Sequence, residues 1–263
     1  EIDLVISSWD SEVSILIIND ASAEKINTIK LNFKNIKSVR VINMKKNRGH
    51  ARCNAAGLKF LTEKENFDHV ILMDGDGEDR PDDLTLIFNK SKENPSKVVT
   101  ADRIKRSEGP SFKLLYECHK ILTYIFTGKL IKFGNYTCLP KEAAARLAKE
   151  SCIWSSFSGS VVKILSDRVS VPSIRGRRYF GPTQMNFFKL LIHSFSIIAV
   201  FKYSVFLRSA IFSVFIYFFR YQIGFLPITL IIFLLIIFNI LILLISLREN
   251  ISELKNSLSN INN

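Results

Sequence analysis

The sequence has no paired cysteine spacing: Cys53, Cys118, Cys138 and Cys152 stand apart, with no CxxC among them. That argues against a zinc module or a disulfide framework and suits a reducing, cytosolic compartment. The opening residues Glu1-Ile2-Asp3 lack both the basic start and the apolar segment of a secretory leader. No internal repeat and no nucleic-acid module is present, although the net charge is +12. Without such a module the basic excess reads as attraction to anionic headgroups and phosphorylated substrates, and nucleic acid is not an expected partner. Charge is itself missing from Ile223 to Leu247, a run of 25 residues interrupted mainly by Thr229, Asn239 and Ser246.

What is there is apolar and unevenly spread. The hydrophobic fraction is 48%, more than an ordinary soluble domain needs for one core. The uncharged run is long enough to cross ~30 Å of hydrocarbon at about 1.5 Å per residue. Just upstream, Tyr203 to Phe219 forms a second apolar stretch, with Arg208 near enough to its start to snorkel. The separator Arg220-Tyr221-Gln222 is too short for a domain, so spans over 203–219 and 223–247 are expected to form a hairpin with both outer ends on one side. Arg175, Arg177, Arg178, Lys189 and Lys202 precede it and mark that side as cytoplasmic. Residues 186–202 read as an interfacial amphipathic helix, and 248–263 as a short polar cytoplasmic tail.

The first two-thirds alternate β-rich runs with helical patterns. Val13 to Ile18, Val39 to Ile42, His69 to Met73 and Lys97 to Thr100 read as buried strands, separated by helices at about 22–33, 49–64 and 81–93. A helical apolar pattern runs through Leu115, Leu122 and Phe126, a short helix follows Pro140, and Arg168 to Ile174 is a further strand. Such alternation implies an α/β, Rossmann-like domain on a mostly parallel sheet over 1–185, with ligands beyond the carboxyl ends of the strands. Two strands end in acidic residues, at Asn19-Asp20-Ala21-Ser22 and at Asp74-Gly75-Asp76.

The stretch Asp74-Gly75-Asp76-Gly77-Glu78-Asp79-Arg80-Pro81 carries the most chemistry. Carboxylates at alternate positions, Asp74, Asp76 and Glu78, supply hard oxygen ligands for Mg²⁺ or Mn²⁺. Such an ion bridges a diphosphate and neutralises a departing nucleoside diphosphate. An EF-hand reading fails because its twelfth position is Thr85 instead of glutamate. A plain acidic surface turn is the other reading.

At this point the sequence resembles family 2 glycosyltransferases of the GT-A fold, in particular the polyprenyl-phosphate sugar synthases, the group that includes dolichol-phosphate mannose synthases and bactoprenol-phosphate glucosyltransferases. Ile17 to Ser22 resembles their nucleotide-binding "VDDGS" block, and Asn47-Arg48-Gly49-His50-Ala51-Arg52 their "NxGxxxA" turn. Asp74 to Pro81 resembles the "DADLQHPP" metal loop, and Arg178 to Thr183 the "RxxGxS" element. The likeness covers about residues 10–220, and the ordered set is what makes it specific. It implies a nucleotide-sugar site at Asn19, Asp20, Ser22, Asn47, Gly49, Arg52 and Asp74, and metal ligands Asp74, Asp76 and Glu78. Arg103, Arg106, Arg175 and Arg178 would receive an acceptor phosphate, with Asp76, Asp79 and Arg178 as the catalytic set. Glu78 stands where the family has glutamine and Asn19 where it usually has aspartate. A "PxYNE" strand has no counterpart before Glu1, so the domain is expected to lack its first strand. The processive "QxxRW" motif is absent, which argues against a polymerising synthase.

The resemblance implies an inverting, metal-dependent transfer from a nucleotide-diphosphate sugar to a polyprenyl phosphate or other lipid-linked acceptor at a membrane, and a homo-oligomer is compatible with it. A lipid phosphate is already ionised near neutral pH and needs no general base, whereas a glycan hydroxyl would need one, for which Asp79 is nearest in sequence. The basic set can also be read as a membrane-orientation signal, and His50 and His119 as core or surface residues. Two rivals stand beside the enzyme: a non-catalytic membrane scaffold on the same fold, and a membrane-bound nucleic-acid binder supported by charge alone.

Overall fold

A computed structural model describes residues 1–22, 33–105, 110–181 and 186–262. The helix expected over 22–33 lies outside the described residues but for its two ends, and so do Arg106 and Pro182-Thr183.

After a short helix α1 (Ile2–Val5), the β-branched run Val13–Asn19 forms β1 and Ile36–Met44 forms β2, paired in parallel. Helix α2 (His50–Lys64) starts at Gly49, whose φ of +85° is one that side chains with a Cβ rarely adopt. β3 (His69–Leu72) leads into the acidic loop, and Pro81 opens a single 3₁₀ turn before α3 (Leu84–Glu93). β4 (Val98–Lys105), α4 (Pro110–Thr127), β5 (Phe133–Pro140), α5 (Lys141–Leu147), α6 (Phe157–Ile164) and β6 (Arg168–Ile174) complete the domain. The Ser156 hydroxyl caps α6 by accepting from the Gly159 N–H at 3.3 Å.

The described strands form two mixed sheets, so the mostly parallel sheet expected from the alternation is corrected. In the second sheet, of order β3-β5-β4-β6, only β4 and β6 run parallel; β5 inserts antiparallel between β3 and β4. β5 escapes a reading by alternation because its last five residues are buried on both faces, and Gly134 and Pro140 mark its ends as loop. Its insertion puts the amino end of β5 beside the carboxyl end of β3 and so delivers Asn135 to the acidic loop. The core lies between this sheet and α2, α5 and α6, around Leu139, Leu147, Ile153, Trp154 and Phe157.

Beyond the domain, α7 (Phe187–Ala199) bends by 88° into α8 (Lys202–Phe218). A single turn α9 (Arg220–Ile223) joins α8 to α10 (Phe225–Ser246). α10 is long and apolar enough to cross a membrane, and only 11% of its most apolar window is buried, so it is not the core helix of a water-soluble fold. Arg208 does not reach past the end of α8. Its guanidinium donates to the Ile125 carbonyl at 3.0 Å, at the carboxyl end of α4, where the helix dipole favours a cation.

The last residues differ most from the sequence expectation. Residues 248–263 read as a polar extension, yet α11 (Ile251–Lys255) packs back on the domain and β7 (Ile261–Asn262) adds an antiparallel strand to the outer edge of β2. Leu254 is 1% exposed and belongs to the Trp154 core, while the Trp154 indole N–H donates to Glu253 at 3.0 Å. A tail of mixed polarity carries no periodic signal strong enough to announce this. Leu254→Ala is therefore expected to cost about 2–4 kcal/mol, since truncating a buried leucine loses both transfer energy and packing. Urea unfolding of the detergent-solubilised protein checks it; a loss below about 0.5 kcal/mol would mean that the tail does not dock.

Candidate active site

Within each sheet, the elements that end in chemistry end on the same edge. The carboxyl ends of β1, β2, β3, β4 and β6 and the amino end of β5 present Asn19-Asp20, Asn47, Asp74, Arg103, Arg175 and Asn135 respectively.

One half of the site joins two sequence blocks. The Asp20 carboxylate accepts from the backbone N–H groups of Arg48 and Gly49 at 2.7 and 2.8 Å, and the Asn47 amide donates to the Asp20 carbonyl at 3.0 Å. Asn19 is nearly buried and donates to Asn43 at 2.9 Å, while its own Oδ1 accepts from the Ser22 N–H. Arg52 lies 5.7 Å from the Trp154 ring, and burial together with nearby Arg248 lowers its pKa from the ordinary arginine value. Asn19, Asp20, Ser22, Asn47 and Gly49 are thus brought together, with Arg52 one helical turn behind.

The other half is the acidic loop. Asp74 accepts from the Asn135 amide at 2.9 Å. Asp76 pairs with Arg178 at 2.9 Å, and Glu78 is held by Arg175 and approached by Arg178 Nε at 3.5 Å. Two backbone hydrogen bonds zip the loop to residues 176–179: Gly176 N–H to the Glu78 carbonyl at 2.8 Å and Tyr179 N–H to the Asp76 carbonyl at 2.9 Å. The approach is so close that a Cβ on Gly176 would collide with the Gly77 carbonyl, and one on Gly77 would meet the Tyr179 ring at 2.7 Å. Sequence spacing alone could not reveal this seam, because its two sides are about 100 residues apart.

Asp79 is 4% exposed. It accepts from the Asp74 N–H at 2.9 Å and lies 3.7 Å from Arg103. Burial first, and the neighbouring Asp74 charge second, push its pKa up to about 6. It sits as a brace beneath Asp74, with no open path to a ligand.

Among the described residues no three histidine, cysteine, aspartate or glutamate side chains are gathered in a metal-binding set. The donor chemistry fits a hard divalent cation in part: Asp74 and Asp76 offer oxygens at the mouth of the loop, whereas Glu78 is committed to two arginines. Of the basic set, Arg103, Arg175 and Arg178 line the acidic loop and Arg106 lies outside the described residues.

Sequence reasoning missed Asn135, while His50, expected to be a core or surface residue, is exposed. His50 and His193 are in ring contact, with centroids 5.4 Å apart, and His119, Arg103 and Asp74 also face His193.

The sequence model of glycosyl transferase family 2 matches residues 2–152, more than half of the 263-residue chain, and the protein belongs to that family. The matched segment contains the Asp20 block, the Gly49 turn and the whole acidic loop. No curated protein matches the chain. The protein is accordingly a glycosyltransferase.

The raised pKa of Asp79 generates a stability prediction with a definite sign. A carboxyl whose folded pKa lies above its ordinary 3.8 binds its proton more tightly when folded. Its contribution to stability is then intact below about pH 4, falls as pH rises to about 6, and stays depressed above that. Asp79→Asn keeps an acceptor for the Asp74 N–H and removes the buried charge. It should gain on the order of 2 kcal/mol at pH 8 and nothing at pH 4, read from unfolding midpoints at the two values. A variant less stable than wild type at pH 8 would show that the pairing with Arg103 outweighs burial.

Proposed function

We propose that the protein is a membrane-anchored, inverting glycosyltransferase that moves a sugar from a nucleotide-diphosphate sugar to a polyprenyl phosphate, using a divalent cation, on a GT-A type domain. The observation that carries this reading is the seam between the acidic loop and residues 175–179, where Arg175 and Arg178 meet Glu78 and Asp76 directly before the helices that lead to α10.

The residues divide the work. Asp20, Asn47 and Gly49 shape the nucleotide end of the site, and Asp74 and Asp76 face the diphosphate. A divalent cation there would neutralise the charge that grows on the leaving nucleoside diphosphate. Arg178 already neutralises Asp76 in this state, and its planar fork can exchange a carboxylate for a phosphate without changing its protonation. Arg103, held beside Asp79 and packed flat on Gly134, supplies a fixed positive charge for the acceptor phosphate. Because a phosphate acceptor is an anion already, the burial of Asp79 is no obstacle to this chemistry, while it disfavours the alternative of a glycan hydroxyl deprotonated by Asp79.

Membrane anchoring by a hairpin of α8 and α10 draws support from two features. Lys202 and Glu249, at its two feet, pair at 3.1 Å, and the tail that follows docks on the catalytic domain. At the turn, Arg220 stacks between Tyr217 and Tyr221 at 4.5 and 4.4 Å, an amphipathic cluster suited to the headgroup layer. A cysteine introduced at Gln222 should react with an impermeant reagent only from the side opposite the domain; labelling from the domain's side would refute the hairpin.

The chemistry is tested with labelled nucleotide sugars, polyprenyl phosphate and the full chain in detergent. Asp76→Asn should abolish divalent-dependent transfer while leaving the melting temperature within a few degrees. Arg178→Lys should lower transfer about 30- to 150-fold, corresponding to ~2–3 kcal/mol for a charge-assisted contact whose bidentate geometry is lost. Nucleotide affinity should hardly change in it. Unchanged turnover of Asp76→Asn, or of wild type in excess chelator, would make the loop structural and favour the scaffold.

A further inference from the structure

Two histidines from separate helices, His50 and His193, meet in ring contact, and a third, His119, lies within electrostatic range of His193. His50 is the first residue of α2, His119 lies in the middle of α4, and His193 lies in the middle of α7. His50 and His193 have ring centroids 5.4 Å apart with planes inclined at 51°. The Nδ1 of His119 sits 3.4 Å from the Thr123 hydroxyl, one turn along α4, which steadies the ring. Arg103 and Asp74 lie within electrostatic range of His193, which places it near the acidic loop.

His193 is partly exposed. Burial and the neighbouring His50, His119 and Arg103 hold its pKa down, at about 3, so the ring is neutral in the resting state. Those same positive and polar neighbours are what an incoming anion would meet. The outer faces of the two flanking helices are apolar and exposed, through Ile121, Tyr124 and Ile125 on α4 and Phe187, Phe188 and Ile192 on α7. A ligand with a phosphate head and a hydrocarbon tail therefore finds hydrogen-bond donors inside and grease outside, in the order its own structure requires.

Resting on the transferase reading above, we infer that His50, His119 and His193 form, with Arg103, the pocket for the acceptor's phosphate monoester, and that His193 orients the attacking oxygen toward the sugar held at Asp74. In that step the phosphate oxygen forms the new bond to the anomeric carbon, the bond from that carbon to the diphosphate breaks, and the electron pair leaves with the nucleoside diphosphate. The histidines donate hydrogen bonds and gain or lose no proton.

The test is calorimetry on the full chain in detergent, with farnesyl phosphate, farnesol, inorganic phosphate and a panel of nucleoside diphosphates. Farnesyl phosphate should bind wild type and should bind His193→Phe at least tenfold more weakly, with a severalfold loss in His119→Gln. Affinity for the preferred nucleoside diphosphate should be the same in all three, which also shows that the variants fold; His193→Gln serves if the phenylalanine variant does not. In transfer assays the same variants should raise KM for the lipid and leave KM for the nucleotide sugar unchanged. The inference is overturned if farnesyl phosphate binds His193→Phe within twofold of wild type, or if farnesol binds wild type as tightly. Inorganic phosphate binding as tightly as farnesyl phosphate would likewise overturn it, leaving a free-anion site in place of a lipid site. If wild type binds no nucleoside diphosphate, the transferase reading itself fails. If it transfers sugar to glycan hydroxyls and not to lipid phosphates, that broader activity survives and the histidine pocket does not.

Discussion

Four carboxylates within six residues, Asp74, Asp76, Glu78 and Asp79, cannot be crowded at the end of a sheet without counter-charge, and that constraint organises the rest of the molecule. The counter-charges come from strands distant in sequence. Arg103 ends β4, while Arg175 and Arg178 follow β6, and β4 and β6 are parallel neighbours. The parallel pairing therefore brings all three guanidinium groups to the edge where β3 releases its acidic loop. Four negative charges against three positive ones leave the cluster one negative charge at neutral pH, and with a divalent cation added it becomes positive by one.

The second organising fact is that the chain returns. Apolar helices at the end of a domain could hang from it by one thread, with little to set their angle. Here the chain re-enters the domain after α10, through the Lys202–Glu249 pair, the Leu254 anchor and the edge strand β7. β7 pairs with Asn43 and Met44 of β2, and Asn43 in turn accepts from Asn19 beside the nucleotide block. Glu253 pairs with Arg48, the residue whose backbone N–H caps Asp20. The apolar helices and the Asp20 end of the site are thus two sides of one packed unit, and their separation is fixed by side-chain packing.

How much of this was legible depends on the range of the interaction. β1, α2, β3 and β6 could be read closely because each is announced by a local pattern, such as the apolar run of Val13 to Ile18 or the Gly49 turn ahead of His50. The acidic loop was legible for the same reason. β5 was not, since burial on both faces erases alternation. The seam between Gly176 and Gly77, the return of Leu254 and the meeting of His50 with His193 are contacts between residues far apart in the chain, and each residue alone looks ordinary. His193 in particular sits in a helix whose apolar residues dominate any reading by composition.

The placement of Asp79 bears on what kind of acceptor this site can serve. A general base must reach its proton through open space and must be able to take it up near working pH. Asp79 meets the second condition, with a pKa near 6, and fails the first, since its oxygens are turned to the Asp74 N–H and to Arg103 inside the core. Asp76 and Glu78 are each engaged in an ion pair with an arginine. What the acidic loop offers an acceptor is therefore position and electrostatics without proton removal. Of the acceptors a glycosyltransferase could use, a phosphate monoester is the one that asks for nothing more, because its nucleophile arrives already ionised.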